Sequence, residues 1–464
     1  MLIATSYEEW CSAALERDEE SGNLAWRKDD TGGLIDSELM REHITQLREL
    51  IASGEVAKLA ELLYESIYRH QGDIANPHLY DVAYSGTKLV IEDYLDAVED
   101  SLNSIADGES TELSIASKLS IMRRAQRNLG ESALLLSGGA SMGFFHMGVA
   151  KALLTQGLLP KTICGASMGA LIGGGLCSRN DEELHELFSD LEIMYRTGIT
   201  FLKPAEMVKQ RLLLDQSQLQ RCADENIGEL TFAEAAERSG RHFCVSVSPS
   251  RSRQKPRVLS SKTSPHIVVS NAVIASCAIP GVYPPVSLKA RNKKGETVPY
   301  LLGEQWVDGT FQGDLPMKRL GRLFNINHFI VSQVNPHAVP FLVSRHGRGP
   351  LALAADLTLS TVRIQMAQTL KVLQGRVTSP RIHNVMEHGR LLAEQEYKGD
   401  INIHPQMNGW MYRRLLSNPS VADLKHYISL GERATWPKIS MIRNQTRTQA
   451  TLAACVKRLE ASAG

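Results

Sequence analysis

The sequence predicts an α/β protein with a mainly parallel central sheet, preceded by a helical N-terminal region. Three observations carry this. Residues 1–130 repeat apolar positions at helical spacing among Glu, Lys and Arg, without glycine-rich or strand-rich stretches. From Ser132 onward, short apolar runs alternate with helical patterns, as in βαβ units whose sheet is covered on both faces. Two of those runs lead straight into glycine-rich loops, Gly138–Gly143 and Gly165–Gly169, where ligand-binding loops sit at the carboxyl ends of parallel strands.

The elements follow in order. Leu47, Leu50, Ile51, Val56, Leu59, Leu62 and Leu63 mark a helical face, Asn76-Pro77 breaks it, and Val82–Leu102 resumes the helical pattern. Ala133–Leu136 reads as the first strand, Phe144–Leu154 as a helix and Thr162–Cys164 as the second strand. Asp181–Tyr195 and Phe232–Glu237 read as helices around a third strand at Phe243–Val247. Val258-Leu259 and Ile267–Val269 are further strand candidates, and Phe329–Val334 is a strong one. Beyond about Pro380 the chain turns polar and mixed, with helical patterns at Asp423–Leu430 and Thr446–Leu459. The expected division is a helical domain over 1–130, a catalytic α/β domain over 131–340 and a mainly helical extension over 341–464.

Composition narrows the function classes. Lys+Arg and Asp+Glu both total 51, so the net charge is zero and nothing points to nucleic acid as a partner. Self-association is compatible with the sequence. Seven scattered cysteines without C-x-x-C spacing suit reduced thiols better than a disulfide framework or a zinc site. Met1–Glu20 carries Glu8, Glu9, Glu16 and Asp18 among its carboxylates and no continuous apolar core, unlike a signal peptide. The longest uncharged stretch, Thr162–Ser178, holds five glycines and falls short of the roughly 20 apolar residues of a membrane span. The expectation is a cytoplasmic protein whose membrane contact is peripheral.

Gly-Ala-Ser-Met-Gly occurs twice, at Gly139–Gly143 and Gly165–Gly169, and matches the G-x-S-x-G turn that presents a nucleophilic serine. A serine hydroxyl needs a base for its proton and donors for the oxyanion it forms. In the second copy, small residues flank Ser167 and an apolar, glycine-rich helix follows. A strained strand-to-helix turn requires this, and it places Ser167 at the positive end of a helix dipole. The first copy lies in the array Gly138-Gly139-Ala140-Ser141-Met142-Gly143, whose small residues bare backbone N–H groups for an anion. Ser167 is therefore the candidate nucleophile, and Ser141 a filler whose hydroxyl caps the next helix. A nucleotide-binding turn is the competing reading of the array, but it lacks the Gly-Lys-Ser/Thr ending.

The base is less plain. His328, His337, His346, His383, His388, His404 and His426 lie downstream, where a Ser-His-Asp triad would draw its histidine. Against them stands Asp308, which closes the apolar Trp306-Val307 and precedes Gly309, so it belongs at a strand end. On its own an Asp-Gly pair is a common turn signal.

Taken together and in this order, Gly138–Gly143, Gly165–Gly169 and Asp308-Gly309 resemble the patatin-like lipid acyl hydrolases. Ser276-Cys277-Ala278-Ile279-Pro280-Gly281-Val282-Tyr283-Pro284-Pro285 is similar to the segment that precedes the aspartate in that family. Tyr84–Lys88, Asp308–Met317 and Phe324–His337 are similar to one branch, the triacylglycerol lipases that carry an accessory N-terminal domain. The resemblance covers roughly residues 5–340. It implies a three-layer patatin-like fold and a Ser167–Asp308 dyad. It also implies an elbow with Gly165 and Gly169 at its ends, and an oxyanion hole from the N–H groups of Gly138, Gly139, Ala140 and Met168. Met142 stands where many relatives carry a basic residue, which weakens any role for that side chain in phosphate recognition. Asp314 reads as a loop residue. The implied reaction is hydrolysis of glycerolipid esters, triacylglycerol first, through an acyl-enzyme and without cofactor or metal, at a membrane or lipid-droplet surface. Phospholipase or acyltransferase chemistry on the same dyad, or a silent lipid-binding protein, are the alternatives.

Overall fold

A computed structural model describes residues 1, 4–31, 34–66, 73–190, 216–251, 256–278, 283–309, 315–336, 338–339, 398–415 and 419–463. Six helices open the chain: α1 (Tyr7–Glu20), α2 (Asn23–Lys28), α3 (Ser37–Ser53), α4 (Val56–Ser66), α5 (Leu89–Asp107) and α6 (Ile115–Leu129). Ser6, Asp36 and Ser114 start α1, α3 and α6 by accepting the N–H three residues on. The break at Asn76-Pro77 is a short 3-10 turn, Pro77–Tyr80, capped by the Asn76 side chain.

Helix α5 begins at Leu89, later than the apolar pattern suggests, because charged side chains hold Tyr84–Lys88 in another shape. The buried Asp18 carboxylate accepts the N–H groups of Tyr84 and Ser85 at 3.0 and 2.6 Å. Arg27 donates to the Thr87 carbonyl and pairs with Glu92. The buried Lys88 ammonium donates to the carbonyls of Trp26 and Asp29 and lies over the Trp26 ring.

The strands are β1 (Glu131–Leu136), β2 (Thr162–Gly165), β3 (His242–Pro249), β4 (Arg257–Ser260), β5 (Lys289–Arg291), β6 (Thr297–Pro299), β7 (Trp306–Asp308), β8 (Ile326–Ser332) and β9 (Ile401–Ile403). The main sheet runs β4-β3-β2-β1-β8-β9, with β7 also paired to β3, while β5 and β6 form a separate hairpin. Strands β3, β2, β1, β8 and β9 are mutually parallel, and β4 and β7 run antiparallel to β3. The expected strand at Ile267–Val269 is not one. Ile267 and Val268 make single bridges to Ala290 and Thr231, and Val269 already opens a helix.

The remaining helices are α7 (Phe145–Thr155), α8 (Met168–Leu176), α9 (Asp181–Ser189), α10 (Gln216–Ile227), α11 (Phe232–Ser239) and α12 (Val269–Ser276). They continue with α13 (Met317–Phe324), α14 (Gly409–Arg414), α15 (Val421–Thr435) and α16 (Ile439–Ala463). The sheet is buried on both faces, and successive residues of β1 show how. Leu134 and Leu136 join the main core, whereas Ala133 and Leu135 face a second cluster closed by Leu320 and Phe324 of α13. The main core is continuous from Met40 to Leu459, so α16 belongs to the same apolar body as α5 and α6.

None of the seven cysteines is in a disulfide. No helix among the described residues is long and apolar enough to cross a membrane.

Candidate active site

Pairing registers place the two candidate reactive residues. Strand β2 ends at Gly165 opposite Val245, and two residues later Val247 stands opposite Asp308, the last residue of β7. Val247 also faces Arg257 of β4, on the other side of β3. Strand β7 therefore occupies the lane next to β3 that β2 has just vacated. Asp308, at the end of β7, thus points along that lane towards the end of β2, two residues before Ser167.

The turn between β2 and α8 has no room for larger residues. A Cβ on Gly165 would fall on the Gly169 carbonyl, and one on Gly169 would fall on the Leu136 carbonyl. Ser167 itself takes φ 51° and ψ −120°, a conformation that L-residues rarely adopt, and α8 begins at Met168. Its hydroxyl is thus held at a helix N-terminus by backbone strain, the geometry of a nucleophile elbow.

The glycine array follows β1 and passes in front of this turn. A Cβ on Gly138 would lie 3.4 Å from the Ser167 Cβ and 3.5 Å from Asn335 Oδ1. At Gly139 it would collide with the Val334 side chain. Among the described residues no acceptor takes the N–H groups of Gly138 or Gly139. Ala140 follows at φ 47° and opens a 3-10 turn, Ala140–Phe144. Ser141 does not cap α7. Its hydroxyl lies 2.8 and 2.9 Å from the carbonyls of Arg414 and Leu415, tying the loop to the end of α14. The Met142 side chain is buried in the core.

Two further groups, with only a weak sequence signal, frame the site. The Ser276–Ala278 segment at the end of α12 touches both reactive residues. Ser276 Oγ accepts the Ser167 N–H at 3.1 Å and donates to the Ser246 carbonyl at 3.1 Å, and the Ala278 carbonyl accepts the Asp308 N–H at 2.9 Å. Between them lies the buried Cys277 thiol; burial pushes its pKa well up, the Asp308 charge adds to the effect, and the Ser167 side chain opposes it.

The second group is His146, fully buried in α7. Its Nε2 lies 2.9 Å from the Ser137 carbonyl, which can only accept, so Nε2 carries the proton and Nδ1 accepts the Ser332 hydroxyl at 2.7 Å. Burial holds its pKa down at about 4. Ser137 in turn donates to the Gly138 carbonyl and accepts the Val334 N–H. A lone histidine three residues after Gly143 in an apolar run was the only sequence signal for this clasp. For Ser276 it was membership of the segment before Asp308.

Of the candidate triad histidines, His328, His404 and His426 are described. His328 stands opposite Ser132, four strand residues before the carboxyl edge at Leu136–Ser332, or about 13 Å away. It is bound to Ser132 and Gln445. His404 follows β9, three strands from β2, or about 14 Å across the sheet. His426 packs edge-on against Trp410. His337, His346, His383, His388 and Asp314 lie outside the described residues, as does the apolar stretch Phe201–Leu214.

Comparison with known proteins adds an independent line. A family model described as a domain of unknown function (DUF3336) matches residues 1–127, and one described as patatin-like phospholipase matches residues 134–320. Triacylglycerol lipase ptl3 of Schizosaccharomyces pombe is 31% identical over 471 residues, covering 99% of this chain and 96% of its own. Triacylglycerol lipase 4 of Saccharomyces cerevisiae is 32% identical over 95% of this chain and 50% of its own. Triacylglycerol lipase SDP1L of Arabidopsis thaliana is 32% identical over 98% and 58%. The chain thus spans only half to three-fifths of the latter two relatives. Among solved structures, that of VipD from Legionella pneumophila aligns over 64% of this chain and 67% of that one, at 13% identity and a TM-score of 0.30.

Proposed function

This chain belongs to the patatin-like phospholipase family, and from that premise we propose that it is a serine acyl hydrolase cleaving fatty-acyl esters of glycerolipids through a Ser167–Asp308 dyad. The observation that supports the reading is a strained Ser167 in the turn after β2, with a buried Asp308 closing the antiparallel strand that points towards that turn. Asp308 takes the Ser167 proton as Oγ attacks the ester carbonyl. The N–H groups of Gly138, Gly139, Ala140 and Met168 hold the oxyanion. Collapse expels the alcohol, which leaves with the proton from Asp308, and Ser167 keeps the acyl group. Asp308 then deprotonates water, which releases the fatty acid and restores Ser167. These steps themselves call for no cofactor.

Triacylglycerol is the favoured substrate, because three relatives matched over nearly all of this chain carry that activity in their names, one of them along almost all of its own length. Phospholipid is the second reading, favoured by the description of the family model. Residues 131–340 carry the chemistry in this reading, with 1–130 as an accessory domain and the described part of 341–464 as an extension packing on the catalytic domain, and the protein works on a lipid surface.

The test sets emulsified triacylglycerol beside phospholipid micelles, using the full chain with Ser167→Ala and Asp308→Asn. Fatty acid release from triacylglycerol should dominate and vanish in both variants. Undiminished hydrolysis by Ser167→Ala would overturn the assignment, and preferential phospholipid cleavage would move it to the second substrate.

A further inference from the structure

Strand β4 and helix α13 leave a groove of about 650 Å³ between them on the rim of the sheet. Val258, Leu259 and Leu323 give it an apolar wall, and Arg257, Arg319 and Arg322 supply three guanidinium groups. Residues 256–264 and 315–324 together contain five cations, Arg257, Lys262, Lys318, Arg319 and Arg322, and no carboxylate, in a chain of zero net charge.

The manner in which these cations are held is informative. Arg319 donates to the Pro256 carbonyl. Arg257 lies 5.2 Å from the centroid of the Trp306 ring. Lys262 donates to the Leu323 carbonyl at 3.0 Å and lies 4.4 Å over the Phe324 ring. These partners of Arg319, Arg257 and Lys262 are neutral, so those three side chains are positioned while their charge is left uncancelled. Other arginines on this protein are treated differently: Arg238 pairs with Glu183, Arg447 with Asp96 and Glu99, and Arg458 with Asp107. Among the described residues Arg257, Arg319 and Arg322 form no ion pair.

We propose that this groove binds a phosphate-bearing anion, a phosphate ester whose oxygens engage the guanidinium forks while its carbon portion lies on Val258, Leu259 and Leu323. Planar guanidinium groups present paired N–H donors that match phosphate oxygens, and an apolar wall beside them suits an organic ester better than a bare ion. Arg257 faces Val247, and Val247 faces Asp308, so the groove is one strand away from the candidate active site. The proposal does not depend on the ester-cleaving chemistry.

Two probes test it on the full chain: glycerol 3-phosphate by titration calorimetry, and phosphatidylcholine vesicles with and without phosphatidic acid by co-sedimentation. Arg319→Gln/Arg322→Gln should weaken groove binding by roughly tenfold or more, while Lys293→Gln/Lys294→Gln on the β5–β6 turn should leave it unchanged. Arg322→Gln alone removes a side chain that bonds to nothing described, so it keeps the test open if the double variant fails to fold. Groove-dependent capture of phosphatidic acid vesicles identifies a lipid headgroup as the source. Groove-dependent binding of glycerol 3-phosphate alone identifies a free phosphate ester. Absence of binding by both probes to the unaltered protein would overturn the proposal, as would a loss shared equally by the control variant.

Discussion

Ser167 adopts a backbone conformation that costs a non-glycine residue on the order of 1–3 kcal/mol, and the surrounding glycines leave it no way to relax. Glycine would suit the backbone better, and the proposed nucleophilic role gives the reason for a serine there. Ser167→Gly should therefore unfold in denaturant at higher stability than Ser167→Ala, by about 1–2 kcal/mol, with hydrolysis lost in both. A stability order of Ala above Gly would show that the elbow is not strained.

His146 gives a pH signature at the same scale. Its folded pKa of about 4 lies below the ordinary 6.5, so the unfolded chain binds more protons between those values. Stability from this residue is complete above about pH 6.5 and is lost as the pH falls towards 4, a loss of about 3 kcal/mol. His146→Gln should flatten that part of the stability–pH curve, measured by denaturant midpoints at each pH. A slope unchanged by the substitution would place the titration elsewhere.

At the scale of elements, α7 and α15 cross with their backbones in contact. A Cβ on Gly148 would fall on the Ile428 carbonyl, and one on Gly431 on the Phe145 carbonyl. Gly431→Val should destabilise by about 3 kcal/mol in urea unfolding, because α7 must move as a body. Gly409→Ala, with open space around it, should stay within about 0.5 kcal/mol of the parent.

The sequence made the parallel strands legible, because β1, β2, β3 and β8 are apolar runs buried on both faces. Other elements were less so. Ile267–Val269 has strand composition but is buried at a junction, where single bridges and a helix start satisfy its backbone instead. Strand β9 is three residues long and gives no periodicity to read. For the candidate site, local chemistry was enough to mark Ser167 and the glycine array. The approach of Asp308 depends on β7 running antiparallel beside β3, which composition does not encode. Ser276 acts through one hydroxyl on another residue's N–H, and nothing local distinguishes it from a core serine.

On the scale of the whole molecule, one core joins α3 to α16. Arg447 on α16 pairs with Asp96 and Glu99 of α5, and α12 ties the Ser167 turn to β3. The frame around the Ser167 turn is therefore built from elements across the chain, and the proposed dyad requires it to activate a single hydroxyl. A fluorophosphonate probe reads that hydroxyl directly, with the adduct located by peptide mass spectrometry. Ser167 should be labelled in the unaltered protein and in Ser141→Ala, labelling should vanish in Ser167→Ala, and it should slow by at least about a hundredfold in Asp308→Asn. An adduct on Ser141, or labelling of Ser167 at an undiminished rate in Asp308→Asn, would contradict the dyad.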